Sequence, residues 1–155
     1  MTYEEALGYM KNASAKGSVL GLERITELLR LMGDPQNKIN IIHVSGTNGK
    51  GSFGAMLTSI LRATGYITGS FSSPAITEVT DSFRINGIEI SHDEFASLIS
   101  HIAGFCEKMD DKPTEFEILT AAAYELFVRH ADGDRASVRV HRLDRVGILR
   151  AVNET

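Results

Sequence analysis

The tightest constraint on this chain lies in Ile39-Asn40-Ile41-Ile42-His43-Val44-Ser45-Gly46-Thr47-Asn48-Gly49-Lys50-Gly51-Ser52, where a short apolar run stops at a glycine-rich turn carrying one lysine. The β-branched stretch Ile39 to Val44, followed by glycines at 46, 49 and 51, predicts a buried strand that ends in a tight loop. Phe53 to Thr64 then predicts a helix, with Phe53, Met56, Leu57, Ile60 and Leu61 on one face. The loop therefore joins the C-terminal end of a strand to the N-terminus of a helix. Backbone N–H groups and the positive end of the helix dipole converge at such a junction, which suits a polyphosphate. A plain glycine turn with a solvated lysine satisfies the same local pattern.

The rest of the chain reads as an α/β fold. Thr2 and Glu5 form a capping pattern ahead of a helix to Ser14, with Tyr3, Leu7 and Met10 at helical spacing. Leu22, Ile25, Leu28, Leu29 and Met32 mark a second helix, which Gly33-Asp34-Pro35 ends. Ile67 to Ser72 is a second strand, giving a β-α-β unit with parallel strands and helices against the sheet. Phe83 to Ile90 alternates around Asn86-Gly87, the signature of a two-residue hairpin. Capping boxes at Ser91/Glu94 and Thr114/Glu117 open helices to about Lys108 and His130, the latter with Phe116, Leu119, Ala123 and Phe127 facing the core.

The character changes at Ala131: the last 25 residues hold five arginines, no lysine and no aromatic residue. The expected division is a domain over 1–130 and a divergent tail over 131–155, with a strand at Ser137 to Val140 or a short helix at Val146 to Val152 the elements its apolar residues allow. A chain of 155 residues is long enough for one domain with a real core.

A net charge of −4 with 23% charged residues gives no footprint for nucleic acid, so any anion site must be local. The lone Cys106 forms no internal disulfide and no zinc cluster, fits a reducing cytosol, and reads as a small buried hydrophobe. No segment has the roughly 20 apolar residues a membrane-spanning helix needs, and Met1 to Met10 is no signal peptide. His43 reads as a structural histidine, and His92 and His101 lack spaced metal partners.

The generic phosphate loop is glycine, four residues, then Gly-Lys and Ser or Thr. Here the first spacing is shortened and Gly51 separates Lys50 from Ser52. The run Ser45 to Ser52 instead resembles the variant loop of the Mur ligase superfamily, and its Gly-Ser ending resembles the folylpolyglutamate synthase and dihydrofolate synthase branch. Gly21-Leu22-Glu23-Arg24-Ile25, Ile42-His43-Val44, Ser72-Ser73-Pro74, Ile85-Asn86-Gly87 and Thr114-Glu115-Phe116-Glu117 with Leu119-Thr120-Ala121-Ala122 are similar to that family in order and spacing. The likeness covers Tyr3 to about His130. The peptidoglycan Mur ligases share the loop core and match the other stretches less well.

The resemblance implies a Mur ligase central-domain fold, a P-loop NTPase-like parallel sheet flanked by helices, here incomplete. It implies an ATP-dependent ligase that joins L-glutamate to a folate or dihydropteroate carboxylate through an acyl phosphate, with Mg2+ as cofactor. Gly46, Thr47, Asn48, Gly49, Lys50, Gly51 and Ser52 correspond to the nucleotide-binding run, and Lys50 is the residue expected to act on the terminal phosphates. Ser73 corresponds to a magnesium-ligating serine. Val19, Leu20, Gly21 and Leu22, and Thr114, Glu115, Phe116 and Glu117, correspond to segments that contact the pterin substrate.

Three departures stand out. Ala75 stands where the family commonly has histidine, and Asp81-Ser82 where it has Glu-Arg. Beyond His130 the family's hydrophobic strand ending in Glu-Val-Gly-x-Gly-Gly, with its metal-ligating glutamate, has no counterpart in the sequence. On this reading a central strand of the sheet is missing, and activity requires a complementary C-terminal chain; a non-catalytic nucleotide-binding remnant is the alternative.

Overall fold

The structure, a computed structural model, describes residues 1–14, 21–44 and 48–131, and the backbone of 137–142. The helices are α1 (Tyr3–Ser14), α2 (Glu23–Leu31), α3 (Lys50–Ala63), α4 (His92–Cys106) and α5 (Glu115–Arg129). The strands are β1 (Asn40–Val44), β2 (Ile67–Ser72), β3 (Phe83–Ile85), β4 (Ile88–Glu89) and β5 (Ser137–Arg142), and 3-10 turns span Pro35–Lys38 and Val79–Ser82. These fall into two compact units, one holding α1, α2, α4 and α5 as far as Leu126, the other holding α3 and all five strands with the end of α5 from Phe127. Among the described residues no helix is long and apolar enough to cross a membrane.

In the helical unit, local sequence rules set the helix starts. The Thr2 hydroxyl accepts from the Glu5 N–H at 3.2 Å while the Glu5 carboxylate accepts from the Thr2 N–H at 2.7 Å. Ser91 accepts from the Glu94 N–H at 3.1 Å, and Thr114 and Glu117 cap α5 reciprocally. Phe95, Leu98, Ile99 and Ile102 on α4 are fully buried, and Tyr3 of α1 stacks on His92 with ring centroids 3.8 Å apart. On α5, Ile118, Ala121, Ala122, Ala123 and Tyr124 are buried, whereas Phe116 and Leu119 are half-buried. Of the expected core face, Ala123 and Phe127 are buried and Phe116 and Leu119 are not, and the buried surface of α5 is wider than the expected stripe. Its alanines let neighbouring backbone approach closely, which larger side chains would prevent.

The other unit is a five-stranded sheet in the order β1-β5-β2-β3-β4. β1, β5 and β2 are parallel, and β2, β3 and β4 are antiparallel. The expected loss of the central strand is corrected here. β5 lies within 131–155 and pairs with β1 from Asn40↔Val138 to Val44↔Arg142 and with β2 from Ile67↔Ser137 to Ser72↔Arg142. A strand between two parallel neighbours satisfies its backbone N–H and C=O groups whatever its side chains, and the Val138, Val140 alternation has the period of a strand.

The same topology overturns the expectation that Ile39 to Val44 is a buried strand. Among the described residues β1 is an edge strand, with Asn40 and His43 exposed and only Val44 buried. Helix α3 begins at Lys50, earlier than the apolar pattern indicates, because Gly49 rather than Ser52 precedes its first turn. Its apolar stripe faces outward: Phe53, Met56 and Ile60 are 52%, 59% and 62% exposed. The hairpin forms as expected, with Asn86 and Gly87 at φ 52° and 79°. Asn86 also bridges to β2, donating its N–H to the Thr68 carbonyl at 2.7 Å and accepting the Thr68 N–H at 3.0 Å.

Candidate functional site

The glycine-rich junction is built as a helix start without a side-chain cap. Gly49 occupies the N-cap position at φ 78°, a left-handed conformation that L side chains rarely adopt, and no side chain caps α3. The Phe53 N–H closes the first turn on the Gly49 carbonyl at 2.9 Å. The N–H groups ahead of it lie in the first turn, where no helical acceptor exists. That turn carries no acidic residue, so its positive dipole end is not neutralised locally. Asn48, Gly49, Gly51 and Ser52 are exposed, Lys50 is half-buried, and a Cβ at Gly49 would meet nothing within 4 Å. This is a cradle that an anion can approach. Gly46 and Thr47 lie outside the described residues.

The second part of the site is fixed by sheet register. Val44, the last residue of β1, and Ser72, the last of β2, both pair with Arg142 of β5. The chain toward the phosphate loop and Ser73 therefore leave the same end of the sheet, two strand spacings apart, or roughly 10 Å. Ligands of open α/β sheets bind at this carboxyl end. Ser73 is half-buried, and no group of three or more His, Cys, Asp or Glu side chains among the described residues could hold a metal ion. A single hydroxyl fits a hard cation that keeps its waters and arrives with phosphate oxygens; it does not fit an ion caged by protein alone.

The loop after Ser73 is gathered onto one carboxylate. Asp81 accepts from the backbone N–H groups of Ile76 at 3.1 Å, Thr77 at 2.6 Å and Glu78 at 3.3 Å. Partial burial pushes its carboxyl up, but these donors and the Arg84 guanidinium outweigh burial and hold it below the usual range. Sequence reasoning noted Asp81 only as a departure from Glu-Arg. An acid eight residues after a Ser-Pro turn was the available signal.

The residues matched to substrate contacts lie in the helical unit. Gly21 and Leu22 are half-buried ahead of α2, and Val19 and Leu20 lie outside the described residues. Thr114 and Glu117 are 7% and 2% exposed. The Glu117 Oε2 accepts from the Thr114 N–H at 2.7 Å, the Thr114 hydroxyl at 2.9 Å and the Arg24 Nε at 3.1 Å. Arg24, itself 7% exposed, also reaches Asp111 at 3.2 Å. Its hydrogen bond to Glu117 raises the guanidinium's already high pKa against the opposing effect of burial. Glu115 and Phe116 are the two of their four that keep partly open side chains. Arg24 was missed as a member of this cluster because its partners are 93 and 87 positions away.

No family model matches the chain. Over 129 residues it is 38% identical to the dihydrofolate synthase/folylpolyglutamate synthase of Bacillus subtilis strain 168, covering 81% of this chain and 30% of that protein. The chain belongs to the folylpolyglutamate synthase and dihydrofolate synthase family. A solved complex of folylpolyglutamate synthase with AMPPCP and folate superposes with a TM-score of 0.78 at 28% identity, covering 91% of this chain and 35% of that one. A bifunctional folylpolyglutamate synthase/dihydrofolate synthase, solved with Mn, AMPPNP and L-glutamate bound, gives a TM-score of 0.77 at 30% identity over 95% of this chain and 34% of that one. The chain thus spans between 19% and 34% of the length of curated family members that it matches.

Proposed function

We propose that the chain carries the ATP-binding part of a ligase that joins L-glutamate to the carboxylate of a folate or dihydropteroate. One observation carries this reading: the N-terminus of α3, free of any side-chain cap, with Gly49 at positive φ and Lys50 as first residue, lies at the same sheet end as Ser73. In the proposed reaction a substrate carboxylate oxygen attacks the γ-phosphorus and ADP leaves. The glutamate amine then attacks the acyl carbon, losing a proton, and phosphate departs.

The chain's own contribution is electrostatic. Gly46 to Ser52 are the run assigned to the phosphates, with the N–H groups at the start of α3 as donors, and Lys50 offsets the charge on the transferring group. The Ser73 hydroxyl would contribute one oxygen to holding the divalent cation, taken as Mg2+, which would supply positive charge to the phosphates when bound. Val19 to Leu22 and Thr114 to Phe116 are the residues assigned to the pterin, and Glu117 orders Thr114 and ties it to Arg24. The cytosol is the compartment this reading assigns, since a lone thiol with no disulfide partner suits a reducing environment.

The proposed complete site includes a further polypeptide. The outward stripe Phe53, Met56, Ile60 and β1, an edge strand among the described residues, offer it an apolar face and a strand edge. The absence from the sequence of the Glu-Val-Gly-x-Gly-Gly pattern favours a second reading, nucleotide binding without turnover. Calorimetry with Mg-ATP, followed by glutamate ligation assays with a chain matching the remaining length of the family, separates the two. Binding that Lys50→Ala abolishes, with turnover only in the mixture, is expected. Binding without turnover in any mixture selects the second reading, and no heat with millimolar wild type and ligand rejects both.

A further inference from the structure

The loop that follows Ser73 is exposed from Pro74 to Glu78, and Ile76 at its tip is 90% exposed. A loop of this kind ordinarily takes its backbone hydrogen bonds from water and moves freely. Here three consecutive N–H groups, those of Ile76, Thr77 and Glu78, converge on the single carboxylate of Asp81. The carboxylate has its own fixed footing. Its 3-10 turn has Thr80 and Ser82 buried, the Thr80 hydroxyl donates to Glu89 at 2.8 Å, and the turn closes with the Asp81 N–H on the Glu78 carbonyl at 3.1 Å.

Only Pro74 and Ala75 separate Ser73 from the first anchored N–H, and the proline ring fixes one of the intervening φ angles. On the other side Ser73 follows directly on Ser72, the last paired residue of β2. Ser73 is held between two anchors, the sheet and Asp81.

We propose that Asp81 is the positioning residue for Ser73, its carboxylate setting the path of the 73–78 loop so that the serine hydroxyl meets the cation delivered with a nucleoside triphosphate. This inference rests on the reading of Ser73 as the oxygen ligand. It assigns to Asp81 a task that an amide performs less well: Oδ2 accepts from all three N–H groups and Oδ1 also from Ile76, whereas an asparagine carries no charge and puts an NH2 donor in place of one of the two oxygens. A glutamate keeps the carboxylate.

The test uses the full chain with Mn2+ and AMPPNP as probes, reading Mn2+ affinity by electron paramagnetic resonance, metal-free AMPPNP affinity by calorimetry, and amide exchange at 76–78. Asp81→Asn is expected to speed exchange at those amides and weaken Mn2+ binding roughly 10- to 100-fold, as loss of a partner behind a metal ligand does. Metal-free AMPPNP affinity should not change. Ser73→Ala should give the same loss, the double variant no further loss, and Asp81→Glu recovery. If Ser73→Ala weakens Mn2+ binding while Asp81→Asn leaves it at the wild-type value, the positioning role is overturned and the reading of Ser73 stands. If Ser73→Ala has no effect, the reading of Ser73 falls and takes this proposal with it. If Asp81→Asn lowers metal-free and metal-dependent binding equally, Asp81 is a general structural residue and the proposal is wrong. Should Asp81→Asn fail to fold, Asp81→Ser takes its place under the same criteria, since loss of Mn2+ affinity at intact metal-free affinity supports the role and unchanged Mn2+ affinity with faster exchange at 76–78 refutes it.

Discussion

Replacing Glu117 with alanine should be among the most destabilising single changes in the helical unit. The substitution removes the buried carboxylate that pairs with Arg24, leaving the guanidinium, 7% exposed, with Asp111, whose side chain is 68% exposed. It also strips the Thr114 N–H and hydroxyl of their 2.7 and 2.9 Å acceptor at the start of α5. Removing one member of a buried ion pair costs about 3–5 kcal/mol, and loss of a helix cap about 1 kcal/mol. Because Asp111 still faces Arg24 and water can reach it, the loss of the pair falls below that range, at about 2–3 kcal/mol, and with the cap about 3–4 kcal/mol in all is expected. Against a total stability of about 5–15 kcal/mol this is a large fraction. At roughly 2–4 °C per kcal/mol for a chain of this size, the melting temperature should fall by about 6–16 °C. Urea and thermal unfolding followed by circular dichroism measure both quantities. Glu117→Gln, which keeps one acceptor for Thr114, should lose less. A change below about 1 kcal/mol for Glu117→Ala would refute the reasoning, showing that Arg24 is satisfied without Glu117.

Two glycines should respond in opposite directions to the same substitution. A Cβ at Gly69 of β2 would fall within the buried Phe127 ring, so Gly69→Ala should cost about 1–3 kcal/mol, whereas Gly8, exposed inside α1 with nothing within 4 Å, should gain about 0.5–1 kcal/mol on conversion to alanine; chemical denaturation of both variants checks the sign. Burial raises the Cys106 thiol pKa, the Tyr9 hydrogen bond and Lys112 opposing it only in part. The raised folded value makes its stabilising contribution complete below the ordinary thiol pKa of about 8.5 and lost progressively as pH rises beyond it. Unfolding free energy measured between about pH 8 and 10 should therefore decline in the wild type and more shallowly in Cys106→Ala. Parallel slopes would show that the thiol does not contribute.

What the sequence made legible was what depends on neighbours a few positions apart. The Thr2/Glu5, Ser91/Glu94 and Thr114/Glu117 boxes each close within three residues, and Asn86-Gly87 specifies its turn by the φ angles it tolerates. The strand-to-helix junction at Gly49 and Lys50 was legible for the same reason, with a glycine at the left-handed position that opens α3. What depends on distant partners was not legible. Arg24 meets Glu117 and Asp111 only after helices have packed, and Asp81 is recognisable as an anchor only once three backbone N–H groups are seen on it. The apolar periodicity of α3 was read correctly as a stripe, but periodicity does not say whether a stripe meets a core, and here Phe53, Met56 and Ile60 are exposed.

The stretch 131–155 departs most from the family in composition, yet β5, which lies within it, sets the spacing of the site. β1 and β2 do not touch as neighbours in the sheet; each is registered against β5, and their last residues meet it at the same position, Arg142. Without a strand between them, β1 and β2 would close to a single spacing of about 4.8 Å, or lose their common register altogether. With it, the ends of β1 and β2 stand two spacings apart, which on the proposed reading leaves room for phosphate oxygens and a hydrated cation. This spacing needs only backbone pairing, so it survives the loss of the family's glutamate and glycines. On the proposed reading a cation at this edge would depend on Ser73 and on the nucleotide that brings it, since among the described residues no group of three or more His, Cys, Asp or Glu side chains could hold one.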